Sequence, residues 1–115
     1  MSARKPEVSL EYFPRAEKKF RVTVTLVTCP KHIGGCIEVF VIEDCYGDEV
    51  EHVVRKGIER VTSAARAVEE MFAGVSSICE RIKKSFDADI TCEVIGGDEI
   101  FDGIEKKFGV AARWR

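Results

Sequence analysis

The stretch Thr28–Cys36, "TCPKHIGGC", sets Cys29, His32 and Cys36 close together in a chain of 115 residues. Thiolate and imidazole are the ligands that zinc prefers, so a metal site is one reading of this loop. A disulfide between Cys29 and Cys36 is a second, and free thiols filling a turn are a third. A tetrahedral centre needs a fourth ligand, which only Cys45, His52 or water could supply. Cys45 stands nine residues beyond Cys36, roughly 30 Å of extended chain, and His52 lies further still. The disulfide asks for less: two cysteines facing each other at the ends of paired strands bring their Cβ atoms near the distance the bond requires.

Other chemistry is thinly represented. His32 and His52 are the only histidines, and neither stands in a nucleophile-elbow or Cys–His signature. Cys79 and Cys92 fall on apolar faces and read as inert core thiols. Glu43, Asp44, Asp48, Glu49 and Glu51 crowd the entry to a helix, where the macrodipole alone accounts for them. The glycines at 96 and 97 precede Asp98 and Glu99 and lack the lysine of a phosphate loop. No catalytic residue is assigned, and zinc at Cys29, His32 and Cys36 is the only cofactor the residues suggest.

Lysine and arginine gather at the two ends of the chain: Lys18, Lys19 and Arg21 at one, Lys106, Lys107, Arg113 and Arg115 at the other. Cations neutralise phosphates, and Trp114 between two arginines could stack on an unpaired base. Charge by segment is +4 over residues 1–31, −9 over 32–103 and +3 over 104–115. A nucleic-acid surface would therefore need both ends to meet in space and the acidic middle to face away.

The elements that must position these groups follow from hydrophobic periodicity. Val8, Leu10 and Tyr12 alternate with Ser9 and Glu11, which predicts a short strand over 7–13 that Pro14 ends. Phe20, Val22, Val24 and Leu26 alternate with Arg21, Thr23 and Thr25 in a second strand. Residues 36–43, "CIEVFVIE", are apolar on nearly both faces and predict a central third strand, joined to the second as an antiparallel hairpin through "PKHIGG". From Asp48 the period becomes 3.6: Val50, Val54, Ile58, Val61, Ala65, Val68 and Phe72 share one stripe, which continues through Val75, Cys79, Ile82 and Phe86.

One helix over 48–86 would be about 58 Å long, against roughly 35 Å for a compact domain of this size. A break at "AGVSS" is therefore expected, with Ser77 and Glu80 as a second capping box. A single long helix within a dimer is the rival. Residues 88–95, "ADITCEVI", alternate cleanly and predict a fourth strand. A last helix is expected from Asp98 through Ile100, Phe101, Ile104 and Phe108, ended by Gly109, with "VAARWR" as a short strand or arm. The expected fold is α+β: a mainly antiparallel sheet of about four strands, in the order β-β-β-α-α-β-α, with helices packed on one face. Residues 1–115 read as a single domain with a frayed tail at 1–6.

The chain contains no asparagine and no glutamine, while charged residues make up 33%. Loss of thermolabile amides with enrichment of ion-pairing residues is the composition of a thermophile, whose intracellular proteins can carry disulfides. No window approaches the roughly 18 apolar residues of a membrane span, and no signal-peptide core follows the first residues. A cytoplasmic protein without a membrane partner is expected. If the helical stripe is wider than the sheet can cover, its excess would be buried in a dimer, the alternative being a stripe wholly spent on the core. The first functional expectation is a non-enzymatic interaction protein that forms a homo-oligomer, chiefly a dimer. Nucleic-acid binding by the basic ends and a thiol or metal function at the loop are the alternatives.

Overall fold

The structure is a computed structural model that describes residues 5–115, so most of the expected tail at 1–6 lies outside the described residues. Three strands come first: β1 (Glu7–Tyr12), β2 (Phe20–Thr28) and β3 (Ile37–Cys45). A one-turn 3-10 segment, Gly47–Glu49, leads into α1 (Val50–Phe86), followed by α2 (Gly97–Phe108) and β4 (Ala111–Trp114). The sheet is antiparallel throughout, in the spatial order β1-β2-β3-β4. This is the expected α+β fold, with both helices on one face.

Strand alternation selects that face. Val22, Val24 and Leu26 of β2 lie opposite Glu43, Val41 and Val39 of β3. Val22, Val24, Leu26, Ile37 and Val39 are buried against Val53, Val61, Ala64, Ala65, Val68 and Phe72 of α1. Gly57 lets the helix approach closely: a Cβ there would stand 2.7 Å from Val24 Cγ2. α2 covers the other margin through Phe101 and Ile104, and Trp114 of β4 packs between Phe72 and Phe101, with ring centroids 6.3 Å and 5.5 Å away.

Two expectations are corrected. The first is the helix break: α1 runs unbroken for 37 residues. Gly74 costs an exposed helix only about 1 kcal/mol relative to alanine, too little to break a helix whose apolar stripe keeps its phase on either side. Ser77 and Glu80 cap nothing. The helix begins where Glu49 Oε1 accepts the Tyr46 backbone N–H at 2.9 Å. Its length stretches the molecule to 61 × 24 × 19 Å, with a radius of gyration of 17.1 Å where compact packing would give about 13 Å.

The second correction concerns the fourth strand, which is Ala111–Trp114 beside β3 and not residues 88–95. Because α1 does not turn back, the chain leaves it beyond the end of the sheet. Residues 88–95 return along the helix and join no strand of the sheet; they meet the β2–β3 loop through one parallel bridge between Ile33 and Cys92. α2 then starts after Gly96, which takes a left-handed φ of 77°, without a side-chain cap from Asp98. Gly109, at φ 65°, ends it and donates its N–H to Glu105 O. Among the described residues, no helix is long and apolar enough to cross a membrane.

Candidate functional site

The β2–β3 loop is built by its neighbours. Thr28 and Ile37 form the last pair of the hairpin, so Cys29 and Cys36 leave the strands side by side, with Cα atoms 4.2 Å apart and a disulfide between them. His32 turns the chain at a left-handed φ of 65°, and its carbonyl accepts the Cys92 N–H at 2.8 Å. Gly34 donates its own N–H to Cys92 O at 3.2 Å.

With both sulfurs bonded to each other, His32 has no thiolate beside it, so the zinc reading of Cys29, His32 and Cys36 loses two of its three ligands. His52 lies at the opposite end of the sheet, beside Glu43 and Lys56. No cluster of three or more metal-ligating side chains occurs among the described residues.

A second disulfide was not legible from the sequence. Cys79 on α1 and Cys92 in the return segment are bonded, with Cα atoms 7.0 Å apart, which corrects their reading as inert thiols. Their apolar positions were the available signal, and apolar positions suit a core thiol equally well. Cys45 is the free cysteine among the described residues and is 2% exposed. Burial pushes its thiol pKa up, and the carboxylates of Glu49, Glu43 and Asp44 push it further the same way. It is protonated and unreactive at neutral pH.

The strand register sets Arg113 and Trp114 apart from the basic residues around Phe20. Phe20, next to Lys18, Lys19 and Arg21, faces Cys45 at one end of β3, whereas Trp114 faces Ile37 at the other end. Eight residue steps of strand, roughly 27 Å, separate them. Arg21 Nε is bound to Asp44 Oδ1 at 2.8 Å and Arg113 Nε to Glu38 Oε2 at 3.1 Å. Lys19 Nζ donates to the carbonyls of Pro14 and Ala16 in its own turn. Lys106 and Lys107 close α2 on the side that returns to β4, and Arg115 N–H donates to Cys36 O. The Trp114 indole is partly buried against Phe72, Phe101 and Gly97.

What the fold leaves uncovered is apolar. Inward contacts of α1 with the sheet end near Thr28 Oγ1, which donates to Glu69 Oε1 at 2.7 Å, and Phe72, which packs on Trp114 of β4. Past Phe72 the helix continues for 14 residues, about 21 Å, and meets the loop and the return segment through Ser76 Oγ to Lys31 O and through Cys79. Along this overhang Met71, Val75, Ile78, Ile82 and Phe86 are exposed, Ile78 by 49% and Phe86 by 74%. Their spacing of 4, 3, 4 and 4 residues makes an apolar row beside the buried one, which itself continues through Phe72 and Cys79. Val8, Leu10 and Tyr12 of the edge strand β1 are exposed as well, because α1 lies over β2 and β3.

Comparison with known proteins finds no family model, no curated protein and no solved structure that matches this chain.

Proposed function

We propose that this is a small non-enzymatic interaction protein of a thermophilic cell that works as a homodimer. The observation that carries the reading is the overhang of α1: beside its buried face an apolar row, Met71, Val75, Ile78, Ile82 and Phe86, runs past the end of the sheet and is exposed among the described residues. Scattered exposed apolar residues are ordinary on a protein surface, whereas a contiguous stripe marks an interaction site. Helical overhangs are otherwise polar all round, since an isolated helix gains nothing from an apolar stripe in water. The absence of asparagine and glutamine supports the thermophilic setting, and the Cys79–Cys92 disulfide ties the overhang to the return segment.

Sedimentation equilibrium at micromolar concentration tests the reading. A mass of twice 12.9 kDa is expected, and a strict monomer at tens of micromolar would overturn it.

A further inference from the structure

We infer that the overhang of α1 pairs antiparallel with the same segment of a second copy, about a two-fold axis passing between Ser76 and Ser77. The inference rests on the self-association proposed above and adds its surface and geometry.

Met71, Val75, Ile78 and Ile82 follow the alternating three- and four-residue spacing of a coiled-coil seam. In an antiparallel pair such a seam forms layers that set Met71 of one copy against Ile82 of the other, and Val75 against Ile78. Each of these four side chains is between 38% and 49% exposed in the single chain, so all four have surface left to bury. Gly74 lies on the flank of this seam, and a Cβ there would meet nothing within 4 Å. The missing side chain lets a second helix come close.

Charge selects the direction. Glu70 stands at the sheet end of the overhang, while Arg81 and Lys83 stand toward its tip; Glu80, also near the tip, is paired with Lys84 of its own helix. Antiparallel pairing brings the acidic end of one copy beside the basic end of the other. Parallel pairing would set Arg81 and Lys83 beside their own counterparts.

Length agrees with direction. In this register Phe86 of one copy reaches the level of Ala67 in the other, just inside the margin of the sheet marked by Glu69 and Phe72, so the pair uses the exposed row along its full length and sets the two sheets at opposite ends. About 30 Å of paired helix results, an interface of roughly 1,200 Å² in total, at the lower end of the range for specific complexes.

A spin label at Ser85→Cys measures the geometry in the full chain. The native cysteines do not compete, because four are disulfide-bonded and Cys45 is buried. Labels are expected about 25 Å apart, the axial separation of 17 residues at 1.5 Å each. A separation near 10 Å, the spacing of adjacent helices, would overturn the antiparallel arrangement while leaving self-association intact. A dimer by sedimentation with no label distance below about 50 Å would place the interface elsewhere, and a monomer would overturn both proposals. Ile78→Asp, at an exposed position, is expected to weaken association at least tenfold with an unchanged circular dichroism spectrum; unchanged association would remove the helix from the interface.

Discussion

Thr28 Oγ1 donates to Glu69 Oε1 at 2.7 Å across the margin of the sheet, and Thr28 is the buried polar side chain of the core, fully shielded from solvent. The hydroxyl fixes the height at which α1 leaves the sheet. Thr28→Val keeps the shape and removes the donor. A loss of about 1.5–3 kcal/mol is expected, the range for a hydrogen bond to a charged acceptor, read as a lower denaturant midpoint with an unchanged m value.

Two glycines of one helix should respond in opposite directions. Gly57→Ala puts a methyl 2.7 Å from Val24 Cγ2 and 3.2 Å from Val41 Cγ2, so the helix must lift from the sheet. Overpacking of this kind costs about 1–3 kcal/mol, outweighing the roughly 1 kcal/mol that alanine brings to a helix. Gly74→Ala meets no atom within 4 Å, and only the propensity gain remains. Thermal melts of the two variants should move down and up respectively.

The disulfides differ from most stabilising contacts in acting through the unfolded chain. The Cys79–Cys92 bond closes a separation of 13 residues and Cys29–Cys36 one of 7, for which the chain-entropy treatment gives about 3 and 2.5 kcal/mol. Cys79→Ala with Cys92→Ala should lower the unfolding free energy by about the larger amount. Thiol titration offers an independent check: no reactive thiol in the native protein, one after unfolding, and five after unfolding with reduction.

Acid should weaken one exposed contact at the far end of the sheet. The hydrogen bond from Arg21 holds the Asp44 carboxyl below its ordinary pKa of 3.8, with the Arg21 charge adding to it against the opposing effect of desolvation. A carboxyl whose folded pKa is depressed contributes stability that is complete above the unfolded value and is lost as pH falls through the folded one. The contribution is therefore complete at neutral pH and is lost progressively as pH falls below the ordinary value of 3.8 and through the depressed folded one. Both partners are solvent-exposed, so the effect is small. Asp44→Asn should reduce the steepness of the acid limb of a stability profile and leave its alkaline side unchanged.

The sequence carried the β2–β3 hairpin, the cysteine pair that closes it and α2 with its glycine stop, because each rests on local chemistry: period-two alternation, facing strand ends, and a residue free to adopt positive φ. The unbroken α1 was harder to read. Gly74 and two serines resemble an ending, yet a glycine penalty near 1 kcal/mol is outweighed by contacts on either side that no local rule counts. Residues 88–95 misled for a related reason. Ile90, Cys92 and Val94 alternate as in a strand, but the end of α1 places them beyond the sheet, where Cys92 meets Cys79 instead of a ladder. The separation of the basic ends depends on strand register, which residue types alone do not set.

The bridge between Ile33 and Cys92 closes a circuit. It runs from the hairpin tip, itself tied by Cys29–Cys36, through two backbone hydrogen bonds to Cys92, across a covalent bond to Cys79, and back along α1 to the sheet. Fraying that starts at Phe86 can therefore unwind the last two turns of α1 and no more, because Cys79 acts as a tether. In the dilute monomer, amide hydrogens of residues 80–86 should exchange with solvent on a local timescale, while those before Cys79 wait for the circuit or the whole molecule to open.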